Sequence, residues 1–391
     1  MNIVHFNTRA LLAAAAVAAA VIAGCGGGVG TGGTGSYAQG TISGFGSIFV
    51  NDVRYDDSGA SVLDGYGNPK TRDDLRLGMT VAVDAGAVAD SGSGPAATAT
   101  RIQYASEIVG PLALVDGAGS RLVVFGQTVT IDSTTVFDDS LSGGLAALGA
   151  GQVVEVYASV DPAGGRYRAT RVQPAASGAA YSLRGIASQV NTSARSFAIG
   201  NAQFSYTASP PAGLAEGAFV RVTLQNAPPA SLQWTVQAFG GGLPGPADGQ
   251  STKLKGLISS FASVGSFSVN GQPVSTAGAS FPNGSAGLGL GVRVEIDGTT
   301  RGGVLQASQV SIKTDSEESG HEFELDGVIT TLTVAAQTFL LRGVTVSYAG
   351  AGIEVDHGTL ADLAVGRRVE VKGLLSSDGT RLDATRISFD N

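Results

Sequence analysis

A unit of about 70 residues recurs five times along this chain. Each unit opens on a glycine that begins a strand-like run, and successive opening glycines are 70, 75, 71 and 71 residues apart. The opening glycines are Gly40, Gly110, Gly185, Gly256 and Gly327. A repeat of this period predicts that one small structural unit is copied along the chain, rather than one large domain with a single continuous core.

Each unit next contains a predicted β-hairpin. Two apolar residues lie seven positions apart, and a pair of turn residues stands between them. The turn pairs are Asn51-Asp52, Phe125-Gly126, Gly200-Asn201, Asn270-Gly271 and Arg342-Gly343. An Asn-Gly pair between alternating apolar residues is typical of a type I′ turn, because both of its central residues need positive φ. The pattern therefore predicts two short antiparallel strands in every unit.

The second half of each unit has the pattern Leu-x-x-Gly before a strand of alternating apolar residues, as in Leu75 and Gly78 before Val81. We expect the leucine to close one end of a sheet from a short helical turn. We expect the glycine to end that turn in a left-handed conformation. A last strand follows, which reads Ala-Thr-Arg-Val at 169–172 in the second unit and Gln-Trp-Thr-Val at 233–236 in the third.

Five short strands with one helical turn before the fourth are the order of a small closed barrel of the oligonucleotide/oligosaccharide-binding (OB) kind. The sequence therefore predicts an all-β fold: a tandem array of about five OB-like five-stranded β-barrels, with a five-stranded open sandwich as the alternative. The predicted barrels span residues 40–107, 108–176, 181–240, 252–313 and 322–391. Because a barrel of this size is only marginally stable alone, we expect neighbouring units to pack end to end.

The amino terminus has the pattern of an export signal, predicted over residues 1–24. Its apolar run, residues 11–22, is shorter than the ~20 residues needed to cross a bilayer and is typical of a signal peptide. The run ends in Ile22-Ala23-Gly24-Cys25, which resembles a lipobox. The resemblance implies cleavage before Cys25, lipidation of Cys25 and a membrane anchor through that lipid. Residues 25–39 are then expected to form the lipidated cysteine and a flexible tether.

Charge and cysteine content narrow the functional classes. Without residues 1–24 the chain has 23 Lys and Arg against 32 Asp and Glu, a net charge of −9. An acidic surface repels phosphate backbones, so we expect no nucleic-acid partner. Cys25 is the single cysteine, so an exported body has no disulfide framework. Gly26 follows it where retention signals usually place Asp, which favours the outer membrane as the location.

Two local features are candidate binding sites. Asp315, Glu317, Glu318 and His321 lie in an acidic stretch between the fourth and fifth units. Several carboxylates suit a hard cation such as Ca²⁺, while runs of like charge favour the alternative of a solvated linker. Trp234 stands where the sibling units have a small residue. It is either a stacking platform for a ligand or a filler of the seam between two units, and the usual burial of tryptophan favours the seam.

Familiar catalytic patterns are missing from the sequence. It has no His-Glu-x-x-His metal motif and neither of the two commonest serine-nucleophile motifs. Its Gly-x-Gly-x-x-Gly matches lie in Gly/Pro linkers without the strand–turn–helix context that dinucleotide binding requires. We therefore expect no cofactor and no enzymatic activity.

The shared features together resemble the repeat of the bacterial DUF5666 family, a family of unknown function that is common in lipid-anchored or secreted proteins. The matching parts are the opening glycine, the hairpin, the Leu-x-x-Gly segment with its strand, and the Ala-Thr-Arg-Val ending. The resemblance extends over residues 40–389 and departs from the pattern at the ending of the third unit. It implies no catalytic residues.

These observations predict a lipid-anchored cell-envelope protein that acts as a non-catalytic binding or scaffold module, with a protein or a glycan as its partner. Repeated barrels present repeated surfaces, which suit several weak contacts acting together. Two alternatives stay open. One is an enzyme or accessory subunit that processes envelope polysaccharide at a site between repeats, and the other is a purely structural spacer.

Overall fold

The computed structural model describes residues 35–389, apart from 91, 93, 163–164, 208, 211–213, 226–232 and 315–321. Over these residues the chain consists of β-strands, connecting loops and a few short 3₁₀ turns, so the predicted all-β class is confirmed. The predicted signal peptide and Cys25 lie outside the described residues. Within that part of the chain, no helix has the length and apolar character needed to cross a membrane.

The strands form five groups that correspond to the five repeats. Repeat 1 contains β1 (Ser36–Phe45), β2 (Ile48–Val50), β3 (Val53–Asp56), β4 (Ser61–Leu63), β5 (Pro69–Lys70), β6 (Thr80–Ala85), β7 (Ala89–Asp90) and β8 (Pro95–Tyr104), with a 3₁₀ turn at Arg72–Asp74. Repeat 2 contains β9 (Ile108–Asp116), β10 (Arg121–Val124), β11 (Gln127–Thr130), β12 (Val136–Phe137), β13 (Val153–Asp161) and β14 (Arg166–Pro174), with 3₁₀ turns at Asp139–Leu141 and Gly144–Ala147.

The remaining groups are more regular. Repeat 3 contains β15 (Tyr181–Asn191), β16 (Ser196–Ile199), β17 (Ala202–Tyr206), β18 (Phe219–Leu224) and β19 (Gln233–Phe239). Repeat 4 contains β20 (Ser251–Ser263), β21 (Ser266–Val269), β22 (Gln272–Ser275), β23 (Arg293–Arg301) and β24 (Val304–Ile312). Repeat 5 contains β25 (Phe323–Thr333), β26 (Thr338–Leu341), β27 (Val344–Ser347), β28 (Glu354–Asp356), β29 (Arg368–Leu375) and β30 (Leu382–Phe389), with 3₁₀ turns at Val334–Ala336 and Leu360–Asp362.

Each repeat closes into a five-stranded barrel. In repeat 4, β20 pairs with β21, β21 with β22, β22 with β24, β24 with β23, and β23 with β20 again. The pair β22–β24 is parallel and the others are antiparallel. The other repeats have the same order, with β3–β8, β11–β14, β17–β19 and β27–β30 as their parallel pairs. The OB-like barrel is therefore confirmed, and the open-sandwich alternative is wrong because the first and fourth strands are paired.

The recurring turns have the predicted backbone geometry. φ is positive at both residues of the turn pairs 51–52, 125–126, 270–271 and 342–343, and at Gly200 of the remaining pair. The glycine that ends Leu-x-x-Gly has φ between +79° and +88° in all five repeats. These glycines are Gly78, Gly151, Gly217, Gly291 and Gly366. Both motifs recur because the barrel needs left-handed backbone at the same two places in each copy.

The opening glycine leaves room for a side chain from the hairpin turn. A Cβ at Gly40 would lie 2.1 Å from Oδ1 of Asn51, and a Cβ at Gly256 would lie 2.2 Å from Nδ2 of Asn270. The Asn51 amide donates to the carbonyl oxygen of Gln39 at 2.9 Å, one residue before the opening glycine. The turn residues of repeats 4 and 5 donate to the corresponding carbonyls at 3.2 and 2.9 Å. The first two motifs thus form one hydrogen-bonded unit in repeats 1, 4 and 5.

In repeat 3 the same contact is made by a side chain from repeat 2. Its first turn residue is Gly200, which has no side chain to place over Gly185. The hydroxyl of Tyr167 from repeat 2 donates to the carbonyl oxygen of Arg184 at 2.8 Å instead. A Cβ at Gly185 would lie 2.6 Å from that hydroxyl oxygen. Repeats 2 and 3 are therefore complementary at this seam, and their buried side chains form one continuous core.

Neighbouring repeats 1, 2 and 3 contact one another in sequence, as the prediction of packed neighbours requires, but repeat 1 also pairs with two repeats that are distant in sequence. Residues 36–39 of β1 run parallel to residues 251–254 of β20 in repeat 4. Residues 44–45 of the same strand run parallel to residues 324–325 of β25 in repeat 5. Repeats 2 and 3 pair separately, through β9 and β15. Repeat 1 thus contacts the distant repeats directly, because its long first strand has an edge available at each end.

The folded body begins before Gly40, inside the stretch that the sequence predicts as a tether. The predicted tether extends to Gln39, but β1 begins at Ser36. The reason is the pairing just described, which places Ser36–Gln39 between β6 of its own barrel and β20 of repeat 4. Tyr37 is 1% exposed there, and its hydroxyl donates to the carbonyl oxygen of Pro244 at 2.6 Å. Residues Ser36–Gln39, which precede the opening glycine, thus belong to the folded body.

Repeat 1 meets repeat 2 through its Leu-x-x-Gly turn. Leu77 is fully buried, and the Arg171 guanidinium of repeat 2 donates to its carbonyl oxygen at 3.3 Å. A Cβ at Gly78 would lie 2.5 Å from the carbonyl oxygen of Thr170. Among the described residues, nothing lies within 4 Å of a Cβ placed at Gly366 in the equivalent turn of repeat 5, and Val365 is 63% exposed. The same local motif therefore serves as a docking surface in one repeat and faces solvent in another.

We predict that Gly78→Ala lowers the free energy of unfolding more than Gly366→Ala. Both substitutions force alanine into left-handed backbone, at a cost of about 1–2 kcal/mol. Only Gly78→Ala adds a clash with the Thr170 carbonyl, worth about 1–3 kcal/mol more. Chemical denaturation of both variants measures the difference, and equal losses would contradict the docking role of this turn.

Candidate functional site

The strongest candidate site is a cleft where the five repeats meet. Its volume is about 100 Å³, and every repeat contributes to its wall. Repeat 1 supplies part of β1 with the turn at Asn51, and repeat 2 supplies parts of β13 and β14. Arg184 of repeat 3, three residues of repeat 4 and Phe323 of repeat 5 complete the lining. The cleft exists because the repeats pack out of sequence order.

The lining is positively charged, in contrast to the whole chain. It contains four cationic side chains and two acidic ones, a net charge of +2. The cationic residues are Arg168, Arg184, Lys255 and Arg293, and the acidic ones are Asp52 and Glu107. The complete chain has a net charge of −8. Part of this charge is balanced by ion pairs, because Arg184 pairs with Glu107 and Arg168 pairs with Asp132, which is not part of the lining.

Arg184 is held in place by contacts to three parts of the body. Its Nη1 donates to the two carboxylate oxygens of Glu107 at 3.2 and 3.3 Å. Its Nη2 donates to the carbonyl oxygen of Asn270 in repeat 4 at 2.9 Å. The guanidinium carbon also lies 4.1 Å from the ring centre of Phe219. This cation is consequently fixed before any ligand arrives, which reduces the entropy lost on binding.

Arg168 is also held in place by contacts within the wall. Its Nε donates to the carboxylate of Asp132. The same carboxylate accepts from the backbone N–H of Thr134 at 2.8 Å and from its hydroxyl at 2.6 Å. Thr134 itself lines the cleft. A loop of repeat 2 thereby orients both an arginine and a hydroxyl at the same surface.

Two polar atoms of the cleft have unmet hydrogen-bonding capacity among the described residues. Oδ1 of Asn51 and Oγ1 of Thr170 are buried without a hydrogen-bond partner. The amide nitrogen of Asn51 already donates to the carbonyl oxygens of Gln39 and Lys253, which fixes the orientation of the amide. Buried polar atoms without partners cost free energy, so these two atoms destabilise the wall locally.

A buried polar network supports the cleft from the seam between repeats 1 and 2. Arg171 is 1% exposed; it forms an ion pair with Asp138 and donates from Nε to Oε1 of Gln173 at 2.7 Å. Burial lowers the pKa of Arg171, although the Asp138 carboxylate opposes that shift. Burial and the nearby charge of Glu107 raise the pKa of Tyr167, so its hydroxyl remains a donor. These residues hold the walls in position.

The structure gives different outcomes for the predicted site residues. Trp234 is 9% exposed, and its ring centre lies 4.7 Å from that of Phe125 and 6.4 Å from that of Tyr181. It therefore fills the seam between repeats 2 and 3, the second of its two predicted roles. The cation-site candidates Asp315, Glu317, Glu318 and His321 lie outside the described residues, as does Cys25. In the described part of the chain, no group of three His, Cys, Asp or Glu residues is arranged to hold a metal ion.

The cleft residues were missed by sequence reasoning, although they left a signal. Arg184 and Lys255 immediately precede the opening glycines of repeats 3 and 4, and Gln39 holds that position in repeat 1. All three line the cleft. An alignment of the repeats therefore reveals a recurrent polar position. It does not reveal that the three copies converge, because convergence depends on which repeats pair.

Comparison with known protein families finds the domain of unknown function DUF5666 at residues 109–173, 255–311 and 326–388. These ranges are repeats 2, 4 and 5. Repeats 1 and 3 lie outside them but have the same closed order of strands. No curated protein matched the chain. The resemblance inferred from the sequence is thus confirmed for three repeats, and repeats 1 and 3 share the strand order of those three.

We predict that Trp234→Ala destabilises the protein by about 3 kcal/mol or more, because it leaves a cavity beside two aromatic rings. Tyr66→Ala is the matched control, since Tyr66 is 51% exposed and we expect a change within about 0.5 kcal/mol. Denaturation midpoints measure both effects. A stable Trp234→Ala variant that loses ligand binding would restore the stacking-platform interpretation.

Proposed function

We propose that this chain, which is built from tandem DUF5666-type repeats, is a lipid-anchored binding module of the cell envelope without catalytic activity of its own. The observation that supports the proposal is the cleft at the junction of all five repeats, with its fixed arginines and net positive lining. A cleft lined by all five repeats is a surface that the assembled body has and a single repeat lacks. The partner is a protein or a glycan that carries an anionic group.

The spacer alternative is less consistent with the way the repeats pack. A spacer gains length when its units stack in sequence order. Here β1 pairs with both β20 and β25, which brings the first repeat against the last two. This arrangement makes the body shorter than a linear stack of five repeats and creates a cleft between them. A short body with a cleft favours a binding role over a spacer role.

The lining of the cleft gives less support to the enzyme alternative than to binding. Glycoside hydrolysis ordinarily needs two carboxyl groups on opposite sides of the substrate bond. Of the two acidic residues in the lining, Glu107 is 3% exposed and both its oxygens accept from Arg184. Arginine, lysine and hydroxyl groups dominate the remainder of the wall. Such groups hold and orient an anion, whereas acid–base catalysis needs a group that exchanges a proton near neutral pH.

The proposed anchor keeps the body close to the membrane. Ten residues separate Cys25 from Ser36, where β1 begins. Fully extended, they span at most about 35 Å. Lipid on Cys25 would therefore restrict the cleft to ligands within a few nanometres of the envelope surface. The proposed location is the outer membrane, since Gly26 follows the lipidated position.

We predict that Cys25→Ser releases the protein from the membrane fraction. The substitution removes the only thiol in the chain and so the only site for thioether-linked lipid. Metabolic labelling with radioactive palmitate and fractionation of cells measure the effect. Gly27→Ser, which keeps the thiol, is the control and should remain labelled. Continued membrane association of unlabelled Cys25→Ser would contradict lipid anchoring.

We further predict that the full-length Cys25→Ser protein retains envelope material saturably without cleaving it. Retention on immobilised protein, followed by elution and chemical analysis, gives the first result, and an assay for new reducing ends in the same extract gives the second. Replacing the cleft cations by Lys255→Gln together with Arg293→Gln should reduce retention. Release of reducing ends by the purified protein would overturn the non-catalytic proposal.

A further inference from the structure

We infer that a second copy of this chain binds to repeat 5, through a contact of the kind that joins repeats 1 and 2 within one chain. Residues 363–367 form the turn surface of repeat 5, and Glu354, Asp356, Thr385 and Arg386 form its strand surface. The turn surface of one copy lies on the strand surface of the other. This association is separate from the cleft and goes beyond the proposed function.

The seam between repeats 1 and 2 shows what covers a Leu-x-x-Gly turn. Leu77 of repeat 1 is fully buried there, and the Arg171 guanidinium of repeat 2 donates to its carbonyl oxygen. Thr170 approaches so closely that a Cβ on Gly78 would lie 2.5 Å from the threonine carbonyl oxygen. Among the described residues, nothing lies within 4 Å of a Cβ at Gly151, the turn glycine of repeat 2, so the contact is not reciprocal. One repeat thus supplies its turn and the other its last strand.

The turn surface of repeat 5 has the same backbone arrangement and is exposed. The N–H of Gly366 donates to the carbonyl oxygen two residues after the opening glycine at 2.9 Å, as the N–H of Gly78 does at 3.0 Å. Val365 holds the position of the buried Leu77, but it is 63% exposed. Leu360, which begins the 3₁₀ turn just before it, is 38% exposed. Exposed apolar residues grouped around one turn are typical of a surface that contacts another protein.

The strand surface of repeat 5 holds its arginine in the same setting as repeat 2. β28 lies parallel to β30 as β12 lies parallel to β14, in the same register relative to the arginine. Arg386 accordingly pairs with Asp356, and Arg171 pairs with Asp138. The Arg386 side chain is 44% exposed, whereas that of Arg171 is 2% exposed. A guanidinium has five N–H donors, and Arg171 shows that such a pair leaves one of them for the carbonyl oxygen of a docked turn.

A β-bulge places a threonine at the same point of both strands. The register of β14 against β13 shifts at Thr170, and the register of β30 against β29 shifts at Thr385. A bulged residue is left out of the regular ladder, so its backbone is available for another contact. Thr170 makes that contact with Gly78, and Thr385 is exposed. The strand surface therefore has a threonine where a second glycine turn can approach.

Charge complementarity favours a second copy as the partner. In the seam between repeats 1 and 2, Met79 follows the turn glycine and Val136 lies beside Arg171, and both are buried in one hydrophobic cluster. Repeat 5 has Arg367 and Glu354 at these two positions, and both are exposed. The turn surface is thus positive, and the strand surface, with two acids and one arginine, is negative. Opposite charges on two surfaces of the same chain favour contact between copies.

The geometry also limits how the copies associate. A turn-to-strand contact is head to tail, so each copy can bind a further copy at its other surface. A contact between two small barrels is smaller than the interface of a stable dimer. We therefore expect a dissociation constant between about 1 μM and 1 mM.

The test measures self-association of the purified full-length Cys25→Ser chain by sedimentation equilibrium, at concentrations from about 10 μM to 1 mM. Val365→Asp places a charge in the turn surface. Val334→Asp is the matched control, since Val334 is 69% exposed in the same repeat and lies in the hairpin between β25 and β26. Arg367→Glu and Glu354→Arg each bring like charges together, and the double variant restores an opposite pair. Circular dichroism verifies that each variant is folded.

We expect the average mass of the parent chain to rise with its concentration. Val365→Asp and each single charge reversal should weaken association at least about tenfold, and Val334→Asp should leave it unchanged. The double charge reversal should restore the affinity to within about threefold of the parent chain. A parent chain that stays monomeric up to about 1 mM overturns the inference. Association that Val365→Asp leaves unchanged, or that the double reversal does not restore, also overturns it.

Discussion

The pairing of β1 with two distant strands is the interaction on which the rest of the body depends. One end of β1 adds to β20 and the other end to β25, so backbone hydrogen bonds join the first repeat to the last two. Small barrels bury too little apolar surface to be stable individually. Strand pairing and hydrophobic cores that are shared between repeats compensate for this low stability. The buried side chains of repeats 1 and 5, for example, belong to one hydrophobic cluster. The same pairing encloses the cleft, which connects stability with the proposed binding site.

In four of the five repeats, a side chain donates a hydrogen bond to the carbonyl oxygen that precedes the opening glycine. The donor is the turn asparagine in repeats 1 and 4 and the turn arginine in repeat 5. In repeat 3 the hydroxyl of Tyr167 replaces the turn side chain. The contact is maintained while the residue changes, because a buried carbonyl oxygen needs a donor whatever its source. Variation at this position therefore changes the contacts between repeats and leaves the barrel fold unchanged.

The sequence predicted the barrel well and the assembly poorly, for physical reasons. Period, turn pairs and Leu-x-x-Gly are local signals, since each depends on backbone conformation within a few residues. Which repeats meet depends on strand edges and side chains far apart in sequence, as with Ser36 and Ser251. The charged lining was not predicted from the sequence for the same reason. Arg184 and Lys255 belong to different barrels, and they form part of one site only because repeats 3 and 4 converge. Trp234 was recognisable because it interrupts a repeated pattern.

The position of β1 has a consequence for how the molecule is made. β1 is the first strand to be synthesised, but its partner β20 begins at Ser251, more than two hundred residues later. Until then, Tyr37 and the adjoining backbone groups have an open edge, which is the kind of surface that joins wrongly with other chains. Long-range strand pairing is also slow. The folded body can therefore form only after the later repeats have been synthesised. A chain that ends after the third barrel would keep this strand edge exposed and would aggregate with other chains, and it would not be a smaller functional protein.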